Sequence, residues 1–341
     1  MDLGIGIGGP LAGLGEAARR AEEAGFESVW VAETARSAFV QAALACAATE
    51  RVVVGTNIAL AFPRSPAITG MNARDLAELS GGRFVLGLGT QVKRVMEQRF
   101  GIPFEHPAPK VAEAVVAIRA VLASFQGTPP EHRGRFYTIT MAPFPGAGPA
   151  PGPVRIYLAA VNERMAETAG RWADGVLGHP MTSPDYVAGV IRPAVERGAA
   201  RSGRDPTEVS VTSSVILQMS DDREAARLEA AAQVGFYATT RTYRPVLAEH
   251  GFDDRIEPLR RAFVQGDLRA MAEIALPMVD SLAVAGTPEE CRRRLAAFDG
   301  ALDRIILGGA WIGPAPDRVE ENFDLILRTF GRERASGGRD A

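Results

Sequence analysis

The sequence predicts a (β/α)8 barrel, and three observations predict it. Short apolar runs alternate with amphipathic helical stretches along nearly the whole chain, and eight such pairs can be counted. The spacing of the first three pairs, all passed within about 80 residues, is that of repeated βα units with right-handed crossovers. The third observation is the stretch Leu79-Ser80-Gly81-Gly82-Arg83-Phe84-Val85-Leu86-Gly87-Leu88-Gly89-Thr90, where a polar helix end turns through two glycines into a buried strand. That strand finishes on Gly87-Leu88-Gly89-Thr90, where missing side chains let main chain approach a flat ring or a phosphate. The carboxyl ends of parallel strands are where α/β folds collect ligands.

Taken in order, Leu3 to Gly8 is a glycine-rich strand, and the helix from about Leu14 to Ala24 stops at Gly25. Phe26 to Val31 is the second strand, Ala38 to Thr49 a helix, and Arg51 to Leu60 the third strand. Ser65-Pro66 caps and starts a helix that runs to about Leu79 and feeds the fourth strand. Gln91, Lys93 and Arg94 start a long loop that continues through Arg99-Phe100-Gly101-Ile102-Pro103 and precedes a helix from about Pro109 to Ser124. An insertion of about 127–152 follows, with Gly134 to Thr140 alternating like a hairpin strand and a Pro/Gly-rich run from Ala142 to Pro153. Val154 to Ala160, Gly175 to Gly178 and Val209 to Met219 are strands five to seven, separated by helices over Asn162 to Trp172 and Pro184 to Ser202. Asp221 or Asp222 caps the next helix, and a second insertion, 235–285, is largely helical by pattern. Thr287-Pro288-Glu289-Glu290 is a capped helix start, Asp303 to Leu307 the eighth strand, and Arg318 to Phe330 the last helix. Residues 1–330 therefore read as one domain, with 331–341 a polar, frayed tail. An open doubly wound sheet is the competing architecture. Gly4, Gly6 and Gly9 fit its G-x-G-x-x-G fingerprint, but they lie mostly within the first strand and not in the turn after it.

At 341 residues and 46% hydrophobic the chain can bury one large core. A net charge of -3 without any Lys/Arg run gives no footprint for nucleic acid or anionic membrane, so the expected partner is a small molecule. Cys46 and Cys291 are far apart and lack metal or redox spacing, which fits a reducing cytoplasm. The start Met1-Asp2-Leu3-Gly4 has no basic n-region and no long apolar run follows, so neither secretion nor membrane spanning is expected. No Gly-x-Ser-x-Gly elbow, Cys/His signature or metal-ligand spacing appears, which argues against hydrolase chemistry and a metal site.

Ser80 to Gly89 resembles the bacterial luciferase-like oxidoreductases, the flavin- and deazaflavin-dependent (β/α)8 group. Four more stretches agree in order: Gly25 to Glu33, Thr49 to Thr56, Ile156 to Ala160 and Ala169 to Gly175. Gly89-Thr90-Gln91-Val92-Lys93, followed by Arg99-Phe100-Gly101, resembles the branch that uses coenzyme F420, an 8-hydroxy-5-deazaflavin. The resemblance implies a non-prolyl cis peptide at Asn57-Ile58 beneath the ring. It implies cofactor contacts at Gly6, Thr56, Gly89, Thr90, Gln91 and Ala160, and phosphate held by the main chain at Val161-Asn162-Glu163, a helix start. This chain lacks the family's common Gly-Pro at that turn, and Glu163 is tolerable there only if it points away. Family members are similarly dimeric, and the helix Ala38 to Ala48, apolar on nearly every face, is expected to pack on a second subunit or under the 235–285 insertion.

Two groups are candidates for catalysis. Glu33 lies where the family places an acid near the deazaflavin, so it either acts in catalysis or contacts the ring, or else forms a solvated salt bridge. The His that follows this acid in several deazaflavin relatives is here Thr34, so another group must move the proton. His179, ending strand six on the catalytic rim, serves catalysis, phosphate binding or only the loop. His106, His132 and His250 read as surface residues. Phe62, Phe100, Phe104, Phe236, Tyr237 and Tyr243 fall in segments that rim the barrel mouth as an apolar lid. The resemblance thus implies hydride transfer between the deazaflavin C5 and a small activated C=C, C=N or C=O, or an alcohol in reverse. The alternatives are a monooxygenase using reduced FMN and dioxygen, and a non-catalytic flavin- or deazaflavin-binding barrel.

Overall fold

Eight strands rich in apolar and small residues pair in parallel into a closed cylinder: β1 (Asp2–Gly6), β2 (Ser28–Val31), β3 (Val53–Thr56), β4 (Phe84–Gly89), β5 (Arg155–Ala159), β6 (Gly175–Gly178), β7 (Ser210–Met219) and β8 (Arg304–Gly308). Neighbours in sequence are neighbours in space, and the ring closes where Asp2 of β1 is opposite Arg304 of β8. The expected (β/α)8 barrel is thus the observed architecture. The computed structural model describes residues 1–143 and 146–331. The expected tail from residue 332, and two residues of the Pro/Gly-rich run, lie outside them.

Period-two alternation divides the apolar residues between two cores. One face of the strands packs on the helices in a continuous shell that includes Ile5, Val29, Val31, Val54, Leu86 and Leu88. The other face fills the lumen with Trp30, Val85, Tyr157, Leu177 and Ile306. Trp30 is the bulkiest of these, with its indole N–H bonded to Ser28 Oγ at 2.9 Å. A side chain on Gly55 would overlap the Trp30 ring, so this glycine makes room for the protein's own indole. The bottom of the barrel is bound by polar clasps. The Glu22 carboxylate accepts the N–H groups of Arg51 and Val52 before β3, and the Arg83 guanidinium donates to the carbonyls of Thr49 and Val52.

The structure differs from the sequence reading within the insertions and in one loop. The hairpin is shorter than the alternation suggested: only Thr138–Ile139 pairs, antiparallel, with His132–Arg133. Its turn is held on the helix Pro107–Ser124 by Glu113, whose carboxylate accepts the N–H groups of Arg135, Phe136 and Tyr137. Burial opposes that charge, but the donors outweigh it and hold the carboxyl below its usual range. His132 is consequently buried against Glu113 at 3.3 Å, not exposed, and His250 is half-buried with Nε2 at 2.9 Å from Ser183 Oγ. The residues after Gln91, read as a loop, form a helix, Lys93–Arg99. The second insertion is helical as expected, from Arg223–Ala238 through Val279–Leu282, and ends in a short strand, Val284–Gly286, that extends the edge of β7.

Candidate active site

At the carboxyl end of β3 the chain turns sharply, and the Asn57–Ile58 peptide is cis. Thr56 clamps this turn to β4: its hydroxyl donates to the Gly87 carbonyl at 2.7 Å and accepts the Gly87 N–H at 2.9 Å. A Cβ on Gly87 would overlap the Thr56 carbonyl, and one on Gly89 would overlap the Ile58 side chain. The room that the sequence reading reserved beside Gly87 and Gly89 for a ring is therefore taken by the bulge of β3. The surface at this point of the mouth is Ile58 and Asn57, both half-buried, with Asn57 Nδ2 reaching β7 to donate to Ser214 Oγ at 2.7 Å. Main chain stays open elsewhere on the rim. A Cβ on Gly308 would meet nothing within 4 Å, and one on Gly6 only the Leu307 carbonyl at 3.7 Å.

Glu33 buttresses the same bulge. Its N–H donates to the Ile58 carbonyl at 3.0 Å, and its carboxylate accepts the Leu60 N–H at 2.8 Å and two guanidinium nitrogens of Arg64, Nη1 at 2.8 Å. Arg64 in turn lies 5.0 Å over the Phe39 ring. Glu33 does form a salt bridge, but a buried one and not a solvated one, with both carboxylate oxygens partnered. Arg64 was missed, and the only signal was a basic residue squeezed between prolines in Pro63-Arg64-Ser65-Pro66.

Thr90 and Gln91 at the end of β4 are half-buried and locally braced. Gln91 adopts a left-handed φ of 60°, and its side-chain carbonyl accepts the Val92 N–H at 3.0 Å. After β5, Ala160 is buried, while Val161 and Asn162 are half-buried at the start of the helix Glu163–Trp172. Asn162 Oδ1 is a buried acceptor with no partner. The Glu163 carboxylate is ion-paired with Arg197 of the neighbouring helix, which resolves the charge problem by directing it outward. Of the residues expected at a cofactor, Gly6, Asn57, Ile58, Thr90, Gln91, Val161 and Asn162 remain partly accessible. Thr56, Gly89 and Ala160 lie behind them, buried.

His179 follows β6, two residues after Leu177 of the lumen, so it shares the inward face and is half-buried. Its Nδ1 accepts the Met181 N–H at 3.1 Å, and Nε2 is 2.8 Å from the Tyr243 hydroxyl. The Tyr243 ring stacks on the imidazole at 4.2 Å between centroids, and Tyr237 meets it edge-on at 4.5 Å. Burial pushes the imidazole down to about 3 and the Tyr243 phenol above its usual range. The expected lid divides in two. Phe236, Tyr237 and Tyr243 join His179 and the exposed Trp311, whereas Phe62 and Phe104 pair with each other at 6.2 Å. A crevice of about 10 Å³, one water in size, touches Val161, His179 and Ser213.

Comparison with known proteins places these features in a family context. The family model described as luciferase-like monooxygenase matches residues 3–304. An uncharacterised protein of Mycobacterium tuberculosis is 40% identical over 314 residues, which are 90% of this chain and 92% of that protein. The 5,10-methylenetetrahydromethanopterin reductase of Methanolobus tindarius is 30% identical over 331 residues, 95% of this chain and 96% of the reductase. Among solved structures, the coenzyme F420-dependent tetrahydromethanopterin reductase of Methanopyrus kandleri shares the fold with a TM-score of 0.82 at 24% identity, covering 96% of this chain and 97% of its own.

Proposed function

Because this chain belongs to the luciferase-like monooxygenase family and is an oxidoreductase, we propose that it uses coenzyme F420 to pass a hydride to or from a small organic substrate. Reduced coenzyme F420 supplies a hydride from C5 of its deazaflavin and does not activate dioxygen. The observation that carries the reading is the rim itself: a braced β3 bulge facing open main chain at Gly6 and Gly308, with an unpaired Asn162 at a helix start. Asn57 and Ile58 form a floor for a planar ring, and the open main chain of β1 and β8 leaves its edge unobstructed. Asn162 suits an anionic tail, since turning its amide presents NH2 to the anion beside the helix N–H groups and removes the orphaned acceptor. The aromatic lid excludes water above the ring, and Glu33 acts by holding the bulge in place.

Two features support a deazaflavin over FMN. Gly89 to Lys93 with Arg99 to Gly101 resembles the F420-using branch, and the Methanolobus relative is a reductase, not an oxygenase. The second reading, an oxygenase using reduced FMN, is favoured by the family's description alone. Anaerobic titration with each coenzyme, followed by oxygen-electrode measurements, separates them. Quenching of F420 fluorescence on binding with no oxygen uptake is expected; tight FMN with substrate-dependent oxygen consumption would replace the proposal.

The same reading includes a homodimer. The helix Ala38–Ala48 leaves Val40 and Leu44 exposed beside Ile68 and Met71 of the helix Pro66–Leu79, an apolar face suited to a two-fold partner. Light scattering of the purified chain that gave a monomer mass at micromolar concentration would remove this part.

A further inference from the structure

The position that carries a histidine in several deazaflavin relatives is Thr34 here, and the Glu33 carboxylate is ion-paired with Arg64 and accepts the Leu60 N–H, so the proton that accompanies a hydride is sought at another group. The opposite side of the rim holds a better-placed group. A main-chain N–H can only donate, so the 3.1 Å bond from Met181 N–H assigns the lone pair of His179 to Nδ1. In a neutral imidazole the proton then resides on Nε2, and that N–H donates to the Tyr243 oxygen 2.8 Å away. The Tyr243 hydroxyl proton is not used by the histidine and is free to be given elsewhere.

From this geometry we infer that Tyr243, positioned by His179, is the proton donor of the reaction, and that the substrate is a polarised C=O or C=N compound. The inference rests on the hydride-transfer reading above and specifies its substrate class. With the coenzyme bound, the substrate carbon would take up the hydride it supplies, and the π electrons of the double bond would move onto oxygen or nitrogen. The Oη–H bond of Tyr243 breaks as the new O–H or N–H bond forms. The resulting phenolate is held by the Nε2–H of His179 and regains its proton from solvent.

Several observations favour this direction of transfer. Tyr243 lies in the helical insertion after β7 and stacks on His179 just past β6, so it shares the side of the rim that His179 occupies. The groups packed on the imidazole are Tyr237, edge-on, and Tyr243, stacked. Burial holds His179 neutral and keeps the phenol protonated, which suits an acid that acts only when a strongly basic heteroatom develops beside it. An alkoxide or amide anion is basic enough to take a phenol proton, and these arise from C=O and C=N bonds.

The test uses the full chain with reduced coenzyme F420 under anaerobic conditions and a panel of aldehydes, ketones and cyclic imines. Coenzyme reoxidation is expected with at least one of them. Tyr243→Phe should lower kcat by about 100-fold or more, with KM and coenzyme affinity within about twofold of the wild type. His179→Gln, which keeps an N–H donor, should retain part of the rate. In parallel, nitrogen-15 NMR of the coenzyme-free protein should show His179 with Nε2 protonated and Nδ1 bare between about pH 6 and 8. The inference is overturned if Tyr243→Phe keeps kcat within about threefold, if the coenzyme binds and no carbonyl or imine reacts, or if NMR finds the Nδ1–H tautomer. A wild type that fails to bind coenzyme F420 sinks the earlier reading instead, and the tautomer measurement still decides the His179–Tyr243 arrangement.

Discussion

The two halves of the barrel mouth are built by different physics. On the β1–β4 side, the β3 bulge is fixed by a buried carboxylate that takes a guanidinium and a main-chain N–H at once. On the β5–β8 side, His179, Tyr237 and Tyr243 form a neutral aromatic stack in which two hydrogen bonds orient the imidazole. The charged half is a fixed platform, since ions drawn out of water tolerate little displacement. The neutral half uses groups that can lend a proton without leaving an unpaired charge behind. Its upper part is supplied by an insertion, the kind of segment in which substrate specificity varies. On the proposal made above, platform and chemistry would be divided between the two sides.

Arg64→Ala should break the first half and have the largest effect. It strands the Glu33 carboxylate, 7% exposed, without its counter-charge, at a cost of about 3 kcal/mol measured by urea unfolding. Coenzyme affinity should fall with it, because the bulge loses its brace. A stability loss below about 1 kcal/mol would mean that this ion pair is no more than a surface contact. Acid should act on the other half. The unfolded chain takes up a proton at His179 near 6.5, whereas folded His179 does so only near 3, so the unfolded state gains as pH falls through that window. Between pH 7 and 5 about 1–2 kcal/mol of stability should be lost through this one group, and His179→Gln should remove that part of the slope. The smallest stability change is expected at the seam between the halves. Gly6→Ala places a methyl group in ordinary contact with the Leu307 carbonyl, so unfolding should shift by no more than about 0.5 kcal/mol. Coenzyme affinity should nevertheless drop about tenfold, because on the proposed placement the methyl group would intrude on the ring edge. Unchanged affinity would move the ring away from β1.

What could be read in the sequence follows the same division. Strands and helices of the barrel were legible because each is encoded by a local period, from Leu3 to Gly8 through to Arg318 to Phe330. The capping box at Thr287 and Glu290 was also readable, since both partners lie three residues apart. The site was less so. Glu33 and Arg64 are 31 residues apart, and His179 and Tyr243 are 64 apart, so no periodicity links them. Gly87 and Gly89 were recognised as places of close approach, but which atoms approach depended on the path of β3. The helix Lys93–Arg99 looks like loop in the sequence because seven residues with mixed polarity give too short a window for a period to stand out.

The indole of Trp30, wedged across the lumen with Tyr157, Leu177 and Ile306, gives the cylinder a floor. On the reading proposed above nothing enters from beneath that floor, so coenzyme and substrate would share the rim side, the one seated lower arriving first and departing last. Turnover on such a plan is a stack, and its kinetics should carry the signature of compulsory order.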